Sequence, residues 1–144
     1  MKIFKITFLL TYLILFSSCN TNDPIEKTQI VLSKISDKEN DEILEDIIEE
    51  NPKMKEYLRY EFGRIYMFLQ ESGLPKESEI KIRNRFTYPM NQDFKSYFDG
   101  NTINEVETVT IVGKSQRFEV VMRFLETKSG LRLNGLYSNK YYGK

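Results

Sequence analysis

The chain has 144 residues, with 21 Lys and Arg against 21 Asp and Glu, no His, no Trp and one Cys. This length suits a single domain, and 40% hydrophobic residues are enough to build a packed core. The absence of His and the lone Cys exclude Cys/His zinc sites, histidine-based catalytic triads and internal disulfides. A net charge of zero argues against nucleic-acid binding, which requires a basic surface.

The first 18 residues have the pattern of a secretion signal. Lys2 and Lys5 form a short positive region, and an apolar stretch of eleven residues follows from Ile6 to Phe16. A stretch of this length suits a signal peptide and is too short for a membrane span, which takes about 20 residues. We therefore expect residues 1–18 to be a signal peptide that the mature protein lacks.

Small residues lie directly before the cysteine at the end of this segment. The run Leu15-Phe16-Ser17-Ser18-Cys19 resembles the lipobox of bacterial lipoproteins, with Phe16 where Leu is most usual. The resemblance implies cleavage before Cys19 and attachment of two or three lipid chains to it. Since each buried CH₂ contributes about 0.8 kcal/mol, several chains hold a protein on a membrane. The alternative is a secreted protein with a free N-terminal thiol.

The residues after the cysteine indicate where such an anchor would lie. Residue 20 is Asn, so the Asp of the inner-membrane retention signal is missing, and 20–23 lacks the acid-rich run of a surface-export signal. We expect the outer membrane, with the domain facing the periplasm. Residues 19–27 predict a short lipidated tether because they are mostly polar, and residues 28–144 predict one domain.

Three helices are predicted in the first half of that domain. The first follows Thr28, a possible cap, and is indicated by the apolar residues Ile30, Val31, Leu32 and Ile35. The second has acidic residues on its outer faces and an apolar stripe of Ile43, Leu44, Ile47 and Ile48. The third spans 52–72, with Asn51 as its cap, Gly73-Leu74-Pro75 as its end and an apolar face of Met54, Leu58, Phe62, Ile65 and Leu69.

After Pro75 the hydrophobic period changes from near 3.6 to 2, which indicates strands. Strands are predicted at 80–88, 103–112, 118–126 and 131–137, with a short aromatic helix or turn at 92–98. Short connections predict an antiparallel meander in which 118–124 is central, and Gly135 indicates a bulge or a close helix crossing. The sequence thus predicts an α+β fold, with N-terminal helices packed on one face of an antiparallel sheet of about four strands.

This order of elements is similar to that of the nuclear-transport-factor-two-like group of cone-shaped domains. The likeness covers about 50–140, and its most specific part is RFEVV at 117–121 followed by GLRLNGLY at 130–137. The resemblance implies a conical pocket between sheet and helices, used for binding in most members and for catalysis in some. The alternative is a simpler lipoprotein domain of a helix pair and a sheet without a pocket.

One predicted strand carries a distinctive group of charges. Lys81, Arg83 and Arg85 alternate, so we expect their side chains to share one exposed face and to contribute little to stability. They could receive an acidic protein, an anionic ligand or lipid headgroups, pair with the acidic helix at 42–50, or only keep the sheet soluble. Nearby aromatic residues, which either cover a pocket or close the core, complete this candidate partner or ligand surface: Tyr88, Phe94, Tyr97 and Phe98.

Without His, acid–base catalysis would fall to carboxylates, Lys or Tyr. The carboxylates nearest the aromatic segment, which we expect to be solvated, are Asp93, Asp99, Glu105 and Glu107. Phosphate-loop, EF-hand and zincin motifs are missing from the sequence, so we predict no catalysis, no cofactor and no metal.

Three functions remain open on the sequence alone. The first, which we favour, is a lipid-anchored binding or interaction module for a small ligand or an envelope protein. The second is an immunity or inhibitor lipoprotein that blocks a toxin or an enzyme. The third is a small pocket enzyme of the cone-domain type.

Overall fold

The computed structural model describes residues 21–48, 52–90 and 92–143, and the side chains of 52 and 92–94 lie outside that description. Helices come first within this part of the chain: α1 (Pro24–Ser36), α2 (Asn40–Glu45) and α3 (Pro52–Ser72). The strands follow as β1 (Lys81–Pro89), β2 (Thr102–Val112), β3 (Phe118–Thr127) and β4 (Gly130–Lys140). Short 3₁₀ helices at Glu77–Glu79 and Gln92–Tyr97 lie on either side of β1.

The four strands form one sheet in the order β1-β2-β3-β4, and each neighbouring pair is antiparallel. The helices pack against this sheet, which confirms the predicted α+β fold class. β3 is an inner strand, as its two apolar faces indicate. The bounds of α3 also agree with the prediction of 52–72, whereas its expected cap, Asn51, lies outside the described residues.

The first helix begins earlier than the sequence analysis predicts. The Asp23 carboxylate accepts a hydrogen bond of 2.9 Å from the Ile25 amide. Pro24 occupies the first turn, where amides have no acceptor within the helix, so the N–H that proline lacks costs no hydrogen bond. Thr28, the expected cap, lies inside the helix and donates from its hydroxyl to the Pro24 carbonyl at 2.7 Å. The predicted tether of 19–27 is therefore wrong at its end, because 24–27 belong to α1.

A single hydrophobic cluster joins the helices to β2, β3 and β4. Phe62 and Ile65 of α3 lie in it together with Met122 of β3, and all three are fully buried. The other large members include Leu32, Ile35, Leu58, Val106, Phe124, Leu133 and Leu136. Side chains from both layers thus occupy the space in which the cone resemblance implies a pocket.

β1 lies at the margin of the helical layer and differs from its prediction. All nine of its residues are exposed, although the alternating pattern predicts one buried face. The strand is held by its ladder to β2 at the edge of the sheet, beyond the part that the hydrophobic cluster covers. The apolar residues of β1 consequently contribute little to the core.

β4 contains the irregularity that its glycine indicates. Arg123 pairs with Gly135 and Phe124 pairs with Leu133, so Asn134 is an extra residue in the ladder. A Cβ built on Gly135 would meet no atom within 4 Å, which is inconsistent with a close helix crossing. Of the two alternatives, the bulge is confirmed.

The first prediction concerns the core face of α3. Phe62→Ala should lower the free energy of unfolding by about 3–5 kcal/mol, because a fully buried ring is replaced by a cavity. Met67→Ala, on the outer face of the same helix with 67% of the residue exposed, should change it by less than about 0.5 kcal/mol. Urea denaturation of both variants measures the difference. A loss below about 1 kcal/mol at Phe62 would contradict the packing.

Candidate binding surface on the open face of the sheet

The sheet face opposite the helices carries a polar network centred on Glu107. This residue is only 1% exposed, because the side chains that it binds shield it from solvent. One carboxylate oxygen, Oε1, accepts hydrogen bonds from Arg83 Nε at 2.6 Å and from Asn84 Nδ2 at 3.0 Å. The other, Oε2, accepts from Arg123 Nε at 2.8 Å. The carboxylate therefore joins β1, β2 and β3.

A bulge in β1 allows two consecutive residues to reach this carboxylate. The register shifts between Ile82 and Asn84, so that Arg83 has no partner of its own in β2 and Asn84 pairs with Glu107. In a regular strand, consecutive side chains point to opposite faces. The extra residue instead places both Arg83 and Asn84 on the open face.

The bonds of Arg83 and Glu105 extend the network across the sheet. Arg83 Nη1 donates to Glu119 at 2.8 Å, and its Nη2 donates to the Tyr137 hydroxyl at 2.9 Å. Glu105, which is 5% exposed, accepts from Asn134 Nδ2 at 2.6 Å. We call this set the open-face network: Arg83, Asn84, Glu105, Glu107, Glu119, Arg123, Asn134 and Tyr137. The network includes residues from all four strands.

The network fixes the protonation of the groups at its centre. Burial alone would raise the pKa of Glu107, but hydrogen bonds from Arg83, Arg123 and Asn84 hold that pKa below its usual value. Burial and the neighbouring Glu105 raise the pKa of Tyr88 to about 12. Glu107 is thus ionised and Tyr88 is neutral across the physiological pH range.

The predicted alignment of Lys81, Arg83 and Arg85 on one face is wrong. Lys81 pairs with Val109 on the open side, whereas Arg85, beyond the bulge, pairs with the core residue Val106. Arg85 therefore points to the helix side, where its Nη1 lies 3.3 Å from a Glu126 oxygen. The expected small contribution of Arg83 to stability assumes a solvated charge, whereas its guanidinium binds a buried carboxylate.

The four aromatic residues of the candidate surface do not form one surface. Tyr88 donates from its hydroxyl to Glu105 at 3.3 Å on the open face, and the Tyr97 ring lies 5.6 Å from the Arg132 guanidinium. Phe98 is 3% exposed and packs with Ile103 and Leu125 in a second small cluster. This cluster is separate from the core cluster, since Ile103 pairs with Tyr88 and Leu125 pairs with Glu105, both on the open face. The side chain of Phe94 lies outside the described residues.

The candidate carboxylates also occupy different environments. Asp99 is solvated as expected, and the side chain of Asp93 lies outside the described residues. Glu105 and Glu107 are buried, against expectation, because Arg123 lies between them, with its Nη1 3.9 Å from Glu105. Their alternate positions in β2 and the single Arg within an apolar β3 are the signals from which this pair could have been predicted.

The acidic residues of α2 and of its C-cap, Asp46, bind partners other than β1. Their ion pairs, from 2.7 to 3.7 Å, are Asp41 with Arg59, Glu42 with Lys34, and Asp46 with both Lys27 and Arg132. Pairing of the acidic helix with the charges of β1 is therefore not found among the described residues.

Comparisons of the chain with models of protein families, with curated proteins and with solved structures find no match. Among the described residues, no group of three or more acidic or Cys side chains is arranged to hold a metal ion. Within the same residues, no helix is both long enough and apolar enough to cross a bilayer.

The second prediction tests the buried carboxylate. Glu107→Gln should lower the free energy of unfolding by about 1–3 kcal/mol at pH 7, because two guanidinium groups lose the charge that they bind. A depressed pKa contributes stability that is present above the unfolded value, near pH 4.5, and is lost as the pH falls below it. Thermal unfolding between pH 3 and pH 7 should therefore show a smaller pH dependence in the variant than in the wild type.

Glu126→Gln is the matched control for this substitution. It removes the same charge from an exposed pair with Arg85, so the loss should stay below about 1 kcal/mol. Equal losses in the two variants would contradict the central role of Glu107.

Proposed function

We propose that this protein is a lipid-anchored protein of the bacterial cell envelope whose α+β domain binds a partner through its surface. The observation that carries this proposal is the lipobox-like run that ends at Cys19, two residues before the described structure begins at Thr21. The lipid would place the domain on the periplasmic side of the outer membrane. Lipid attachment would also give a role to the single cysteine of the chain.

The packed interior supports binding at the surface rather than within a pocket. Phe62, Ile65 and Met122 fill the space between α3 and the sheet, where a cone-shaped domain would hold its ligand. The open face of the sheet, by contrast, lies free of the helical layer and presents aromatic and charged groups. Surface binding of a protein partner requires no interior cavity.

The position of Thr21 sets the orientation that a lipid would impose. The Thr21 carbonyl accepts a hydrogen bond of 3.1 Å from the Leu131 amide, beside the turn between β3 and β4. Cys19 is two residues away, a distance of at most about 7 Å. In the proposed arrangement this turn lies next to the membrane, and the turn between β2 and β3 lies one strand length, roughly 33 Å, farther out.

The third prediction tests the anchor. In cells fed an alkyne analogue of palmitate, the wild type should be labelled, whereas Cys19→Ala should take up no label and should accumulate as precursor or soluble protein. Ser17→Ala keeps a small residue in the lipobox and should be labelled like the wild type. Membrane retention of Cys19→Ala equal to that of the wild type would contradict the proposal.

The fourth prediction tests the orientation. Ser129→Cys and Gln116→Cys place a fluorophore on exposed residues in the β3–β4 turn and the β2–β3 turn, respectively. In vesicles that contain spin-labelled lipid, the first should be quenched strongly and the second hardly at all, because quenching requires proximity to the bilayer. Equal quenching at the two positions would contradict the arrangement, even if Cys19 is lipidated.

A further inference from the structure

A crevice of about 350 Å³ lies at the end of the sheet that is remote from Thr21. It is formed by the β2–β3 turn and the end of β4, and we call it the distal crevice. The residues that line it are Lys114, Ser115, Gln116, Arg117, Lys140 and Tyr141. Pairing of Phe118 with Lys140 brings its two halves together, so the crevice is a product of the β3–β4 ladder.

The cations of the distal crevice differ from those of the open-face network. Arg83 and Arg123 each bind a buried carboxylate, whereas Lys114, Arg117 and Lys140 form no ion pair within the part of the chain that the structure describes. The guanidinium of Arg117 lies 5.0 Å from the Tyr141 ring, and the Lys140 ammonium lies 5.5 Å from the Tyr142 ring. Ring contacts orient these cations without neutralising them.

A carboxylate at the end of α3 binds the turn that forms one side of the crevice. Glu71, at the end of α3, accepts hydrogen bonds from the amides of Lys114 and Ser115 at 3.2 and 3.3 Å. Its oxygens also accept from the Ser115 hydroxyl at 3.1 and 3.2 Å. Glu71 thus holds the backbone of the turn while the Lys114 side chain stays exposed.

Gly113 gives the same turn its backbone conformation. Its φ of +90° is unfavourable for residues with a Cβ, and a Cβ here would also clash with the Gln116 carbonyl. The Gly113 amide donates to the Ser72 hydroxyl at 3.0 Å, which ties the turn to α3. A site held in this way needs little ordering when it binds.

Distance separates the crevice from the headgroups of the membrane that would carry the anchor. In the orientation proposed above it lies roughly 30 Å from that surface, whereas charges are screened over about 8 Å at physiological ionic strength. In this orientation the headgroups of that membrane do not supply the anion for these cations. Tyr142, 82% exposed beside the crevice, adds an aromatic contact of the kind that anchors protein interfaces.

We infer that the distal crevice binds an acidic segment of a partner protein. The surplus of cations attracts Asp or Glu side chains, and Arg117, Tyr141 and Tyr142 supply the residue types that carry most binding energy in protein interfaces. The inference deepens the proposed function, on which its orientation depends, by naming the surface and the chemistry of the partner.

The fifth prediction tests this surface with a fluorescein-labelled hexaglutamate peptide, whose binding to the full chain in mild detergent is followed by anisotropy. The triple variant Lys114→Gln, Arg117→Gln, Lys140→Gln should bind at least about tenfold more weakly than the wild type at low salt. Raising the salt to 0.5 M should remove most of the difference, since the attraction is electrostatic. Tyr142→Ala should also weaken binding, which a site for simple anions would not require.

The matched control removes three cations from other parts of the surface. Lys55→Gln, Lys95→Gln, Lys128→Gln has the same net charge, and two of its sites lie in the segments joined by the Lys128 amide and the Tyr97 carbonyl, near the proposed anchor. It should bind hexaglutamate within about twofold of the wild type. Equal weakening in both triple variants, or no binding by the wild type, would overturn the inference.

One further outcome distinguishes a phosphate site from a site for an acidic protein segment. Displacement of the peptide by inorganic phosphate at an equal concentration would overturn the inference in favour of a phosphate site. Because the binding assay contains no membrane, its result is independent of Cys19, so a failure of the lipid anchor and a failure of the distal crevice are distinguishable. Thermal unfolding of both triple variants establishes that they are folded.

Discussion

The burial of one carboxylate is the constraint on which the sheet depends. Glu107 is ionised and almost fully buried on a face that the helices do not cover. Burying a charge is costly unless it is paired and hydrogen-bonded, and here Arg83 and Arg123 supply both. Because β1 has no buried residue, the contact through Arg83 adds to the backbone ladder as the means of holding this edge strand.

Cations that are paired within the fold stabilise it, whereas cations without an ion-pair partner are available to bind another molecule. On the helix side, apolar packing predominates, and the polar groups buried there bind within the fold: the Thr28 and Thr108 hydroxyls lie 2.7 Å apart, and the Glu61 carboxylate accepts from the Ser138 amide and hydroxyl. On the open face, charged groups bind one another. At the end of the sheet remote from Thr21, Lys114, Arg117 and Lys140 form no ion pair among the described residues, so an acidic partner could bind there without breaking an ion pair of the fold.

Local sequence patterns predicted the helices and strands. Contacts between residues far apart in the sequence determine the strand register, the buried charges and the distal crevice. The helix at 52–72 and the four strands follow from periodicity and from the residues that end them, and Asp23-Pro24 carried a readable signal for the start of α1. The bulge at Arg83 changes the register of a strand whose sequence alternates regularly, so it is visible only once β2 is paired. The burial of Glu107 requires Arg123 from the next strand, and the distal crevice requires Lys140 beside the turn at 113–117.

The topology of the meander then fixes the relation between the proposed anchor and the distal crevice. In an antiparallel sheet each turn reverses the chain, so the β2–β3 turn and the β3–β4 turn lie at opposite ends of β3. Thr21 binds beside one of these turns, and the crevice is built on the other. Their separation is the length of a ten-residue inner strand that is hydrogen-bonded on both sides. A strand held in this way acts as a rigid spacer, and a lipid at one end would keep the cations at the other beyond the screened field of the membrane, where the proposed partner could reach them.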